Sequence, residues 1–283
     1  MTTTPDRPLA GRTLLMSGGS RGIGEAIALS AARAGANIAM IAKTAEPHPK
    51  LPGTVFTAAA AVEEAGGQAL PIVGDIRDDE QVAAAVAQTV ERFGGIDIVV
   101  NNASALDITG TEDLSMKKYD LMQSINTRGA FLLSKLAIPY LRESTNADIV
   151  TLSPPLNLDP AWFDKIGTGY TISKFAMSLV TLGLARELQA DGIAVNSLWP
   201  RTTIDTAAVR NILGEDLVSA SRTPQIMADA AMAIITRPAG GPTGQFYIDD
   251  EVLTVAGVSD LAQYQVSPGP IDGLELDFWM DPA

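Results

Sequence analysis

The chain has 283 residues, 46% of them hydrophobic and 19% charged, which is enough apolar side chain for one large core and too little charge for a disordered polymer. Its formal net charge of −13 repels phosphate backbones and anionic membrane surfaces, so no nucleic acid is expected as a partner. With no cysteine and a single histidine, His48, the thiolate nucleophiles, iron–sulfur sites and multi-histidine metal centres fall away together, and no metal site is expected.

The first eleven residues hold Pro5, Asp6 and Pro8 but no basic stretch followed by an apolar run, and no apolar segment reaches membrane-spanning length. A cytoplasmic protein with no membrane insertion is the expectation. In chain order, short apolar runs at 13–17, 37–42, 69–74, 96–101, 148–153, 193–198 and 245–248 alternate with longer stretches at 22–34, 54–64, 79–93, 117–142, 171–189 and 223–235. The longer stretches repeat apolar residues every three or four positions, as helices lying on a sheet do. Strand then helix, repeated, is the pattern of parallel βαβ units. One α/β domain over residues 1–256 is therefore predicted: a Rossmann-type, doubly wound, seven-stranded parallel sheet with helices on both faces.

Two segments break this rhythm. Residues 43–53 carry Pro47, Pro49 and Pro52, which predicts a stiff loop after the second strand, bordering whatever binds there. His48 on that loop reads as exposed or packed at one end of the ligand rather than catalytic. Residues 257–283 carry Pro268, Pro270 and Pro282 and an apolar cluster at Leu276, Phe278 and Trp279. They read as an ordered tail packed on the same domain or on a neighbouring subunit.

After the first strand comes Ser17-Gly18-Gly19-Ser20-Arg21-Gly22-Ile23-Gly24, followed at once by a helical pattern. Glycines there let backbone approach a pyrophosphate, and the free amides at the helix N-terminus hydrogen-bond it. In dinucleotide folds an acid at the end of the second strand reads the adenosine ribose, whereas a base accommodates a 2′-phosphate. Here the position reads Lys43-Thr44, with Arg21 in reach, so NADP(H) is favoured over NAD(H); the alternative is a solvated lysine. Asp75, followed by Ile76, is placed either to meet the adenine amino group or to cap the next helix. Tyr170 and Lys174 stand four apart, on one helix face. A phenol beside an ammonium suits proton transfer to a developing alkoxide, since the cation favours tyrosinate and lowers the phenol's pKa.

In that order the glycine turn, Asn101-Asn102-Ala103-Ser104, Asn126 and the Tyr170/Lys174 pair resemble the short-chain dehydrogenase/reductases over nearly the whole chain. Residues 42–51, 153–158 and Leu198-Trp199-Pro200 resemble more narrowly a hydroxysteroid-dehydrogenase-like branch of that family. Its animal members add a sterol-carrier domain and a peroxisomal signal; this sequence reads as the oxidoreductase domain alone, ending Asp281-Pro282-Ala283. The resemblance implies that Tyr170 is proton donor and acceptor and that Lys174 holds the nicotinamide ribose. It implies that Asn126 anchors a water relay to Lys174 and that Asn102, Ala103 and Ser104 lie along the cofactor.

The pattern also departs from the family. The usual substrate-binding serine falls at Pro154 in the strand register; Ser153, one residue early, is the candidate for its role if the prolines re-aim the chain, and faces the other side of the strand if they do not, with Thr168 as a weaker substitute. Trp199-Pro200-Arg201-Thr202-Thr203-Ile204 replaces the usual proline–glycine, with the backbone of Thr203 or Ile204 still able to meet the carboxamide and Thr206 the phosphates. Trp162, Phe163, Leu198 and Trp199 around the predicted mouth suggest an apolar alcohol or carbonyl substrate. The helices at 117–142 and 171–189 resemble the pair that joins family subunits, so a homo-oligomer, dimer or tetramer, is expected. The other reading is an NADP(H)-binding sensor that has lost turnover.

Overall fold

The computed structural model describes residues 7–48 and 51–281. Seven strands, β1 (Thr13–Ser17), β2 (Asn37–Ala42), β3 (Gln68–Val73), β4 (Ile98–Asn101), β5 (Asp148–Thr151), β6 (Ala194–Trp199) and β7 (Phe246–Ile248), form one all-parallel sheet. Their order, β3-β2-β1-β4-β5-β6-β7, reverses direction between β1 and β4. Ligands of open α/β sheets bind outside the strand C-termini at that reversal.

Alternation along the central strands assigns the two faces. Leu14 and Met16 of β1 pack with α1 (Gly22–Arg33), α2 (Val55–Glu64) and α9 (Gln225–Ile235). Leu15 between them packs on the other side with α3 (Asp79–Phe93), α5 (Ala130–Leu141) and α7 (Thr168–Glu187). Both faces being covered explains why these strands read as continuous apolar runs.

The strands fall where the sequence places them, with ends shifted by up to two residues. β5 stops at Thr151 rather than 153, because Pro154 and Pro155 lack the N–H a ladder needs and the Ser153 N–H turns back to the Thr151 carbonyl at 2.9 Å. The helix expected at 117–142 is continuous but not uniform: α4 (Met116–Met122) passes into a π-helical segment, Gln123–Gly129, and then into α5. Three short helices went unforeseen, α6 (Pro160–Lys165), α8 (Ala207–Leu213) and α10 (Asp249–Val255). Outside the two main cores, Met122, Ile166, Tyr170, Trp199, Ile248, Trp279 and Met280 form a third apolar cluster at the sheet's C-terminal edge.

Candidate active site

The glycine turn is shaped as a close backbone approach. Gly18 has φ of +73°, and a Cβ there would stand 2.9 Å from the Ala103 backbone; a Cβ on Gly24 would stand 2.4 Å from the Gly18 carbonyl oxygen. Arg21 enters α1 in extended conformation with no side-chain cap, so amides of the first turn carry no side-chain partner. Two bonds stitch the turn to the β4 loop across the sheet's reversal. Asn102 Nδ2 donates to the Gly18 carbonyl at 2.7 Å, and the Ala103 N–H donates to Ser17 Oγ at 3.1 Å.

A cleft of about 970 Å³ opens over this turn. Gly18, Ser20, Arg21, Gly22, Ile23, Lys43, Thr44, Asp75, Ile76, Asn102, Ala103 and Ser104 line it, together with Thr206 and Ala207 at the start of α8. Ser17, Gly19 and Gly24 do not line it; they form the turn from behind, Gly19 against Met16 and Met40. At the far end Lys43 Nζ lies 3.1 Å from Asp75 Oδ2, and Arg77 pairs with the same carboxylate. These cations hold the Asp75 carboxyl well below the usual carboxylate range. Asp75 does not cap α3, which takes its cap from Asp78. Arg21 donates to the carbonyls of Pro52 and Gly53 at 3.0 Å each, tying the proline-rich loop to the glycine turn. Arg77 was missed in the sequence; its position two residues after Asp75 was the available signal.

Tyr170 and Lys174 share the inner face of α7, 5% and 2% exposed. Lys174 Nζ donates to the Leu152 carbonyl at 2.6 Å and sits 4.9 Å from the Trp199 ring centroid. Burial pushes the lysine down to about 7 and the phenol well above its ordinary value, with Asp277 adding to the latter. That runs opposite to the expected lowering, because desolvation dominates in this closed arrangement. Asn126, in the π-segment, spends its side chain as a pin. It accepts from the Ala105 N–H at 2.7 Å and donates to the Ala105 carbonyl and to Ser173 Oγ, both at 2.9 Å. π-turns of this kind recur at functional sites.

Ser153 requires a correction. Its side chain is fully buried, with Oγ 2.8 Å from Ser197 Oγ, which in turn donates to Thr181 at 2.9 Å. Thr181 stands about 16 Å of helix rise beyond Tyr170. The one-residue offset in register turns Ser153 into the sheet–helix interface, away from the reacting end. Thr168 is exposed and offers no substitute. Leu198 is likewise not at the mouth: it lies in the main core, while Trp199 joins the third cluster.

The loop after β6 is held by charge where a glycine would have been free. The Arg201 N–H donates to Asp249 Oδ1 at 2.9 Å and Arg201 Nε to Asp250 at 2.7 Å, with buried Arg222 near the same Asp250. The tail lies along this loop: the Thr203 N–H donates to the Glu275 carbonyl and the Asp277 N–H to the Arg201 carbonyl, both at 2.9 Å, and Thr202 bridges Leu276. Thus Pro200, Thr202, Thr203 and Ile204, with Tyr170 and Lys174, are covered rather than open to the cleft.

The fold and its glycine turn are those of a dinucleotide-binding α/β protein, and the profile of the family described as short chain dehydrogenase matches residues 12–216. The chain belongs to that family, whose members are oxidoreductases working with a nicotinamide cofactor. It is 55% identical over 273 residues to hydroxysteroid dehydrogenase-like protein 2 of Xenopus tropicalis, covering 96% of this chain and 64% of that protein. The protein of the same name from Homo sapiens is 50% identical over 273 residues, again covering 96% and 64%. This chain therefore spans just under two thirds of those relatives. Among solved structures, a dehydrogenase from Xanthomonas campestris superposes with a TM-score of 0.93 at 54% identity, over 97% of this chain and 99% of that one. A short chain dehydrogenase from Mycobacterium thermoresistibile gives 0.90 at 52% identity, over 96% of each.

Proposed function

We propose that this chain is an NADP(H)-dependent oxidoreductase that interconverts an apolar alcohol and its carbonyl compound, with Tyr170 as proton donor and acceptor. The observation that carries the proposal is the placement of Tyr170 and Lys174, one turn apart on the inner face of α7, beside a cleft whose helix amides are uncapped. The residues fit the adenosine and pyrophosphate half of such a cofactor, because glycine backbone and the first turn of α1 face the cleft. When bound, the nicotinamide supplies or accepts the hydride. Tyr170 Oη delivers the proton to the carbonyl oxygen in reduction and recovers it in oxidation; Lys174 holds the nicotinamide ribose and favours the phenolate once the pair is opened to it.

Support for NADP(H) over NAD(H) is Lys43 directly after β2, where no carboxylate follows the strand, with Arg21 of the glycine turn lining the same cleft. Support for an apolar substrate is the ring cluster of Tyr170, Phe175, Trp199, Phe278 and Trp279. Exposed Phe131 on α5 and Ile172, Leu179 and Leu182 on α7 support a homo-oligomer joined through these helices. A catalytically silent NADP(H) sensor is the second reading, favoured by the inward turn of Ser153 and the cover over Tyr170. Titrating NADPH by fluorescence and screening apolar ketones and aldehydes with the wild type and Tyr170→Phe separates the two. The enzyme reading requires reduction by the wild type alone; NADPH binding with no carbonyl reduced by either protein leaves only the sensor.

A further inference from the structure

The open cleft stops short of the phenol–ammonium pair. Its walls include the glycine turn and Lys43 but none of Tyr170, Lys174, Thr202 or Thr203. What lies over Tyr170 is the tail. Trp279 is 1% exposed, with its ring stacked on Tyr170 at a centroid distance of 5.8 Å and an interplanar angle of 26°. Phe175, Trp199 and Phe278 surround it at 5.3 to 5.8 Å.

Two features mark this seat as strained. Trp279 has φ of +63°, the one non-glycine residue with positive φ among the described residues, and a bulky side chain disfavours that conformation. Its indole Nε1 is buried with no hydrogen-bond partner, although indole N–H groups are ordinarily paired when buried. The tail is held by few side-chain bonds: Trp199 Nε1, at the end of β6, donates to the Phe278 carbonyl at 2.9 Å, and Asn157 Nδ2 to the Trp279 carbonyl at 3.2 Å and to Asp281 Oδ2 at 3.0 Å. It also takes the Thr203 N–H, a group suited to a carboxamide, through the Glu275 carbonyl. Thr202 Oγ1 is left buried without a partner.

We propose that residues 276–280 are a strap that fills the nicotinamide half of the cleft in the ligand-free protein, with Trp279 as its plug, and that it withdraws when the dinucleotide binds. The proposal rests on the dinucleotide reading above. The closed strap silences the pair chemically as well as sterically, since it strips Tyr170 and Lys174 of solvent and the negative charge of Asp277 further disfavours the phenolate. Opening relieves the strained Trp279 backbone and uncovers Thr202, bridged to Leu276, together with the Tyr170 ring under Trp279.

The test compares whole cofactors with their adenosine halves on the full chain: NADP+ against 2′,5′-ADP, and NAD+ against ADP, by calorimetry, in the wild type, Trp279→Gly and Trp279→Phe. Glycine accepts positive φ, so Trp279→Gly removes the plug without new backbone strain, and Trp279→Phe keeps a smaller plug. A strap closed nine-tenths of the time lowers apparent affinity about tenfold. The preferred whole cofactor should therefore bind about tenfold tighter to Trp279→Gly, with Trp279→Phe between, while its adenosine half changes by less than about twofold. Hydrogen exchange at 276–280 should quicken with the whole cofactor and not with the half. Unchanged whole-cofactor affinity in both variants, or slower exchange at 276–280 on binding, would make Trp279 a fixed wall and overturn the strap. If neither wholes nor halves bind any of the three proteins, the dinucleotide reading fails and the strap fails with it.

Discussion

At the adenosine end of the cleft, Gly18 to Gly24 build a backbone cradle from residues adjacent in sequence, whereas at the other end Tyr170 is shaped and covered by Trp279, far along the chain. The first end is open and is organised by local backbone geometry. The second is closed and aromatic and is organised by tertiary packing. A binding cradle made by short-range sterics can stand preformed, while a reacting centre that must exclude water depends on a segment able to move.

The largest expected effect is at the closed end. Tyr170→Phe should lower carbonyl reduction by about two to four orders of magnitude, the usual worth of a positioned proton donor, while binding of the adenosine half stays unchanged. Steady-state rates paired with titration check both parts, and retained turnover would remove Tyr170 from the chemistry. At the open end, Gly24→Ala sets a methyl against the Gly18 carbonyl and should weaken dinucleotide binding more than about tenfold. Gly110→Ala, which meets nothing within 4 Å, serves as control and should leave binding intact. Lys43→Glu should then weaken NADPH about tenfold while sparing NADH, and equal loss of both would refute the 2′-phosphate assignment.

The smallest effect concerns the charged anchor of the β6 loop. Burial pushes the Asp249 carboxyl up to about 7 from an ordinary 3.8. A raised carboxyl gives stability that is complete below the unfolded value and is lost as pH rises through the folded one. Thermal unfolding followed from pH 4 to 8 should show melting temperature declining across that window. Asp249→Asn keeps the acceptor for the Arg201 N–H and should flatten the decline; an unchanged slope would assign it to other groups.

The contrast between the two ends also explains what could be read in the sequence. Strand positions follow from apolar runs, and the glycine turn and the four-residue spacing of Tyr170 and Lys174 are local signals. The direction of Ser153 stayed open in the sequence because it depends on where Pro154 ends the ladder, a one-residue question of register. The π-segment around Asn126 has no apolar period of its own, so 117–142 read as uniform helix. Arg77 and Trp279 act only through partners brought close by folding. The apolar cluster at 276–279 was visible, but nothing in it named Tyr170 as its neighbour.

The most direct test is a crystal structure with NADP(H) bound. The Tyr170 hydroxyl should lie against the nicotinamide ring, with Lys174 at its ribose and Trp279 withdrawn. A dinucleotide seated on the glycine turn with Tyr170 still stacked under Trp279 and out of reach of the ring would contradict the proton-transfer role on which the account depends.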